Sequence, residues 1–198
     1  TEECDRLNRS YGEPHRFFPH FIGDGKPATF HETNWNLTGS LYEPNTPVLE
    51  KFQNLAELVT PVAQHPVNTT RLDDISEIYN VDFIKIDVQG SELKIFQNAA
   101  RILSGTLLIQ TEVEFVELYK GQPMFADIDT FIRGAGFQFH AFDGICGRAF
   151  KPIMVSGNIN QGIRQALWSD ALYVRDWMKL EQLGVVKLQK YALLAHDL

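Results

Sequence analysis

Two hydrophobic spacings divide this chain. From 83 to 88 it reads FIKIDV, with apolar residues at 83, 84, 86 and 88 and therefore on both sides of an extended backbone. A strand apolar on both faces lies between layers, as parallel strands covered by helices do. Residues 106–111 form a second such run, and 17–22, 28–32, 67–70 and 171–174 are shorter strand segments. Over 137–142, Phe137, Phe139 and Ala141 alternate with Gln138 and His140, the period of two of a strand wet on one face. Between these runs the spacing changes to three and four. Val48, Phe52, Leu55 and Leu58 predict an amphipathic helix after Pro47 over 48–58, and Leu93, Phe96, Ala100 and Leu103 predict one over 91–103. Residues 1–10, 126–133 (closed by Gly134 and Gly136) and 177 onward also read as helix, and Asp73 as the cap of a helical turn reaching Tyr79. The segment 34–45 is loop. Alternating strands and helices give an α/β layered sheet, mostly parallel with an antiparallel C-terminal strand.

Charges do not normally enter a strand buried on both faces, yet Lys85 and Asp87 sit two apart and share one. Asp87 falls at the strand's carboxyl end, where open α/β sheets bind ligands. The alternative is a buried Lys–Asp ion pair without chemistry. Glu112 ends the next apolar run, followed by Glu114. If the two strands are parallel neighbours, Asp87 and Glu112 stand roughly 5–7 Å apart. Carboxylates that close can share a divalent cation, a hydroxyl proton or a cationic ligand, whereas an isolated Glu112 would only cap a loop or pair with an arginine. Gly23-Asp24-Gly25 after 17–22 is either an acidic ligand loop or a plain turn. The six histidines lack metal-ligand spacing; His31, beside a polar loop with Trp35 and Asn36, is placed to line a mouth.

Composition narrows the function classes. With 198 residues the chain suffices for one domain, and 44% hydrophobic with 22% charged residues is ordinary for a globular protein. A net charge of −7 argues against nucleic acid and anionic membrane as partners. Cys4 and Cys146 form no disulfide framework or zinc motif, which makes a reducing cytoplasm the expected location. No Gly-x-Gly-x-x-Gly, Gly-Lys-Ser/Thr, Gly-x-Ser-x-Gly or Cys-x-x-Cys is present, so serine and cysteine hydrolases find no support. A nucleotide-sugar enzyme would need a diphosphate loop. Both ends read as cuts through helices, the expectation for a piece of a longer protein.

TRLDDI (70–75), VDFIKIDVQGSEL (81–93), LLIQTEVEF (107–115) and the Gly-Phe pair at 136–137 occur in the order and spacing of the FkbM-type methyltransferases, which the chain resembles over roughly residues 1–145. Gln89 stands where many relatives carry Glu. The resemblance implies a doubly wound Rossmann-like sheet of order 3-2-1-4-5-7-6, here incomplete with its first two strands absent, over 1–176, and a helical extension over 177–198. It implies S-adenosylmethionine as cofactor and a small-molecule or glycan hydroxyl as acceptor, with a divalent metal and a homo-oligomer left open and no metal ligands assigned. On this reading Asp87 is the base, Glu112 its partner and Lys85 its orienting cation. Gly23, Asp24 and Asp87 face the cofactor; His31, Trp35, Asn36 and Glu114 face the acceptor. The competing reading is a non-catalytic remnant serving oligomerisation or carbohydrate binding. Loss of two strands predicts rearrangement, intermolecular pairing or a small remnant sheet rather than a complete seven-stranded one, because unpaired backbone is costly.

Overall fold

The computed structural model describes residues 2–197. After helix α1 (Glu2–Tyr11) come strands β1 (Phe21–Ile22), β2 (Pro27–Thr33) and β3 (Pro61–Thr70), with short helices α2 (Thr46–Leu49) and α3 (Leu55–Leu58) between the last two. The second part runs β4 (Phe83–Ile86), α4 (Glu92–Gln97), α5 (Ala100–Gly105), β5 (Leu108–Glu114), α6 (Phe125–Gly134), β6 (Phe137–Cys146), β7 (Trp168–Arg175) and α7 (Val185–His196).

The strands divide between two sheets, of order β1-β3-β2 and β4-β5-β7-β6. Among the described residues two sheets replace the one sheet expected, while within the larger one β4, β5 and β6 run in one direction and β7, the C-terminal strand, runs against them as expected. Only β1–β3 and β4–β5 are parallel; β2–β3, β5–β7 and β6–β7 are antiparallel. The reason is connection length. Helices carry the chain from β4 across to a parallel β5, whereas β7 enters between β5 and β6 running against both. Mixed α/β layering with this order is consistent with a methyltransferase-like fold.

One face of the larger sheet makes the main core. Ile109, Val113, Ala171 and Tyr173 recur at alternate positions and pack against Phe96, Ala99, Ile102, Leu103, Ile128 and Ile132 of α4, α5 and α6. On the opposite face Gln110, Glu112 and Glu114 follow one another along β5, and a smaller cluster of Leu49, Phe52, Leu55, Val59, Leu118, Tyr119 and Leu167 covers the Glu114 end.

Several predicted elements are cut or moved by distant partners. The helix expected over 48–58 breaks at Asn54, which takes φ 60°, because Phe52 bridges to and stacks on Phe150 at 4.7 Å. The helix expected over 91–103 splits at Asn98–Ala99. Asp73 does not cap its own turn; its carboxylate accepts the N–H groups of Arg101 (2.8 Å) and Ile102 (3.0 Å), and so caps α5 from outside. The strand expected over 17–22 shrinks to two residues, and β5 extends to Glu114, so Glu112 lies inside a strand rather than ending one. From 177 the chain forms a 3₁₀ stretch (Trp177–Gln182) before α7. No helix of the described residues is long and apolar enough to cross a membrane.

Helix α7 is held by charge. Lys187 and Lys190 both reach Asp82 at 2.6 Å, just before β4. Burial raises the Asp82 carboxyl, but the two lysines outweigh it and leave the group below its ordinary value. Asp82→Ala is expected to loosen α7 at a cost of about 1 kcal/mol or less, since the pairs are partly exposed. Amide exchange checks this: protection should fall across 185–196 and stay unchanged in β5.

Candidate active site

The turn from β4 into α4 builds the site. Gln89 and Gly90 both take positive φ, 55° and 99°. Glycine does so freely, but for glutamine the left-handed region costs about 1 kcal/mol or more. Three contacts hold Gln89 there. Ser40 Oγ donates to its carbonyl at 2.6 Å, its Nε2 donates to Asp87 Oδ1 at 2.8 Å, and the same nitrogen donates to Glu112 Oε2 at 2.7 Å. Its Oε1 lies 3.0 Å from the Tyr119 hydroxyl, which also donates to the Thr38 carbonyl at 2.9 Å. Glu92, in the first turn of α4, closes the turn by accepting the Val88 N–H at 2.7 Å. Gln89 is thus a bridge between the two carboxylates that the β4 and β5 runs supply. Because β4 and β5 are parallel neighbours with Ile86 opposite Thr111, the two acids meet as the spacing requires.

Four acidic residues gather here. One carboxylate oxygen each of Asp87, Glu92 and Glu112 lie within 4.8 Å of one another. Glu92 and Glu114 are fully buried, and one oxygen of each, Oε2, has no hydrogen-bond partner. Burial first, then repulsion from Asp87 and Glu114, pushes the Glu112 carboxyl up to about 10, so it holds a proton at neutral pH. Glu92 and Glu114 are raised chiefly by burial, and each is raised further by charge at Asp87. The Tyr119 hydroxyl is raised by burial and then by Glu112.

Two cavities meet at this point. One, of about 250 Å³, is walled by Asp87, Gln89, Glu112 and Glu114 on the acidic side and by Trp35, Leu37, Leu118 and Trp168 on the apolar side. Arg148, whose guanidinium lies 5.2 Å from the Trp168 ring, closes it. The other, of about 430 Å³, runs between the two sheets along His20, Phe21, Phe30, Asn36, Ser40, Asp87, Gln89 and Ser91. Asp87, Gln89 and Leu37 belong to both walls.

The structure gathers some of the residues expected from sequence and separates others. Asp87, Glu112, Glu114 and Trp35 line the first cavity; Asn36 and Asp87 line the second. Gly23, Asp24 and His31 stand outside both walls. Gly23 packs against Thr69, where a Cβ would lie 2.8 Å from that side chain's Cβ. Asp24 accepts the Lys26 N–H within its own turn, and His31 is tied by backbone to Ser40. Lys85 does not orient Asp87. Its ammonium is 2.9 Å from Asp170, which also accepts from Gln110, because β7 brings that acid to the same face two strands away.

Sequence reasoning marked Gln89 only as a position where relatives carry an acid, and passed over Glu92, Tyr119, Arg148 and Trp168. Glu92 carried a signal, since it lies in the 81–93 block and opens the helix after the strand. Tyr119, Arg148 and Trp168 carried none, because they arrive from distant loops and strands.

A family model, that of the methyltransferase FkbM domain, matches residues 5–139. No curated protein and no solved structure matches the chain significantly.

Proposed function

The chain belongs to the FkbM methyltransferase family, and from that premise we propose that it transfers a methyl group from S-adenosylmethionine to a hydroxyl of a sugar or secondary metabolite. The observation that carries this reading is the shared wall. Asp87 and Gln89 border a larger cavity on one side and a smaller, partly aromatic one on the other, as a two-substrate transfer requires.

The larger cavity suits the cofactor. Ser91 Oγ on its wall is buried without a partner, a polar atom that a ligand would satisfy. Phe21 and Phe30, 5.4 Å apart, offer ring surface for a base. Asp87 supplies negative charge for a cationic centre. When bound, S-adenosylmethionine supplies an electrophilic methyl group on a sulfonium. In the smaller cavity Trp35, Leu37 and Trp168 would hold the acceptor's apolar surface and exclude water.

Asp87 takes the acceptor hydroxyl's proton. Glu112 keeps its own proton and supports the Asp87 carboxylate rather than competing with it as a second anion. Gln89 fixes both groups through its two donated hydrogen bonds.

Calorimetric titration of the chain with S-adenosylhomocysteine tests the reading. One saturable site with a micromolar Kd is expected, worth roughly 8 kcal/mol. Absence of any heat of binding at millimolar ligand would overturn it.

A further inference from the structure

The four carboxylates of the site share a feature that proton transfer does not use. Among the described residues, none of Asp87, Glu92, Glu112 and Glu114 makes an ion pair: Lys85 is held by Asp170 and Arg148 stacks on Trp168. Buried carboxylates without a counter-charge are either neutralised by protons or meet a cation. Two separate atoms point to a ligand. Glu92 Oε2 and Glu114 Oε2 belong to side chains 0% and 1% exposed, and each lacks a partner. Glu114 is outside the group of three yet lines the same cavity as Asp87 and Glu112.

We propose that Asp87, Glu92 and Glu112 bind one divalent, oxygen-seeking cation on the wall of the smaller cavity, with Glu114 facing it. The donor set is all oxygen, which suits Ca²⁺, Mn²⁺ or Mg²⁺ and not the thiolate- and imidazole-seeking metals. The size agrees. Ligand oxygens on opposite sides of a Ca²⁺ ion are about 4.6–5.2 Å apart, twice the usual bond length. The three carboxylate oxygens already lie within 4.8 Å of one another.

Gln89 has the chemistry to adapt. Turning its amide by half a rotation exchanges Nε2 for Oε1 toward Asp87 and Glu112, adding a fourth oxygen ligand. Nε2 would then donate to the Tyr119 oxygen, while Tyr119 keeps its bond to the Thr38 carbonyl. In that orientation the cation takes the place of the hydrogen bonds that the amide otherwise donates to Asp87 and Glu112. Glu112 ligates as a carboxylate, so the proton it holds in the cation-free cleft leaves to solvent as the ion enters; Asp87 has two oxygens, so it can ligate through one and leave the other for a proton. The acceptor cavity supplies the open coordination position, which fits an acceptor ligating through oxygen.

The proposal concerns the cleft of the methyltransferase reading but is tested without a methyl donor. Mn²⁺ is titrated into the metal-free chain and the free ion is followed by electron paramagnetic resonance. One saturable ion is expected, with a Kd between about 10⁻⁵ and 10⁻³ M. Glu92→Gln and Glu112→Gln should each weaken it at least about tenfold. Glu32→Gln, on the exposed β2 strand, should not. No saturable binding, or binding unchanged in both site variants, overturns the site. If Glu92→Gln does not fold, Glu112→Gln decides, because the neutral amide resembles the protonated acid already present. S-adenosylhomocysteine uptake without Mn²⁺ binding overturns the cation site and leaves methyl transfer standing. Mn²⁺ binding without uptake of S-adenosylhomocysteine does the reverse.

Discussion

Replacing Asp87 by Asn is expected to slow methyl transfer by about 10²–10⁴-fold, the usual contribution of a positioned base. The substitution is nearly isosteric, and an amide oxygen can still accept the bond that Gln89 Nε2 gives Asp87 Oδ1 at 2.8 Å. Asp87 is exposed to the cavities, so the fold should survive the loss of its charge. The change should therefore appear in kcat, with S-adenosylhomocysteine affinity altered far less. Single-turnover rates measured beside calorimetric binding separate the two. Full turnover in the Asn variant would remove Asp87 from the proton transfer. Loss of both turnover and cofactor binding would instead make Asp87 a binding residue.

Stability is expected to fall as pH rises, the reverse of the common acid denaturation. The sign follows from Glu112. Its folded value of about 10 lies above the ordinary 4.5, so the native state keeps a proton that the unfolded chain has released. The stability linked to that proton is complete below about pH 4.5 and is lost as pH climbs toward 10. Glu92 and Glu114 are shifted the same way. The carboxylates held below their ordinary values, Glu3, Glu43, Glu57, Glu77, Asp82 and Asp176, act below that window and do not offset the trend. Between pH 5.5 and 8.5, in chelator, the one proton kept by Glu112 corresponds to a loss of about 4 kcal/mol, or roughly 8–16 °C in Tm for a chain this size. Glu112→Gln should flatten the slope and melt higher than the parent at pH 8.5. Parallel profiles for parent and variant would show that Glu112 is not the titrating group.

Much of the site could be read from local pattern. A twice-apolar strand bearing Asp87, a helix, then a second apolar run bearing Glu112 suffices to bring two acids together, because parallel neighbours in a helix-linked sheet have few alternative arrangements. The element types held in most places for the same reason. The failures have a common cause. The helix over 48–58 is cut by Phe150, about a hundred residues away; Asp73 caps α5 instead of its own turn; and Lys85 finds Asp170 eighty-five positions on. In each case a local preference worth tenths of a kcal/mol gave way to a buried ring contact, a charged cap or an ion pair.

Gln89 shows the same boundary inside the motif itself. Read alone, it is an acid of the relatives turned neutral. In the folded chain its amide touches Asp87, Glu112 and Tyr119 together.

The sequence alone determined the family, the α/β alternation and the nearness of Asp87 to Glu112, since these depend on residue spacing within a strand or helix. Only the tertiary structure decided that the strands split into two sheets, that two cavities share Asp87 and Gln89, and that four carboxylates lie together with no basic side chain paired to them among the described residues. Those facts depend on which strands become neighbours, and the energy that selects neighbours comes from contacts between residues far apart in the chain.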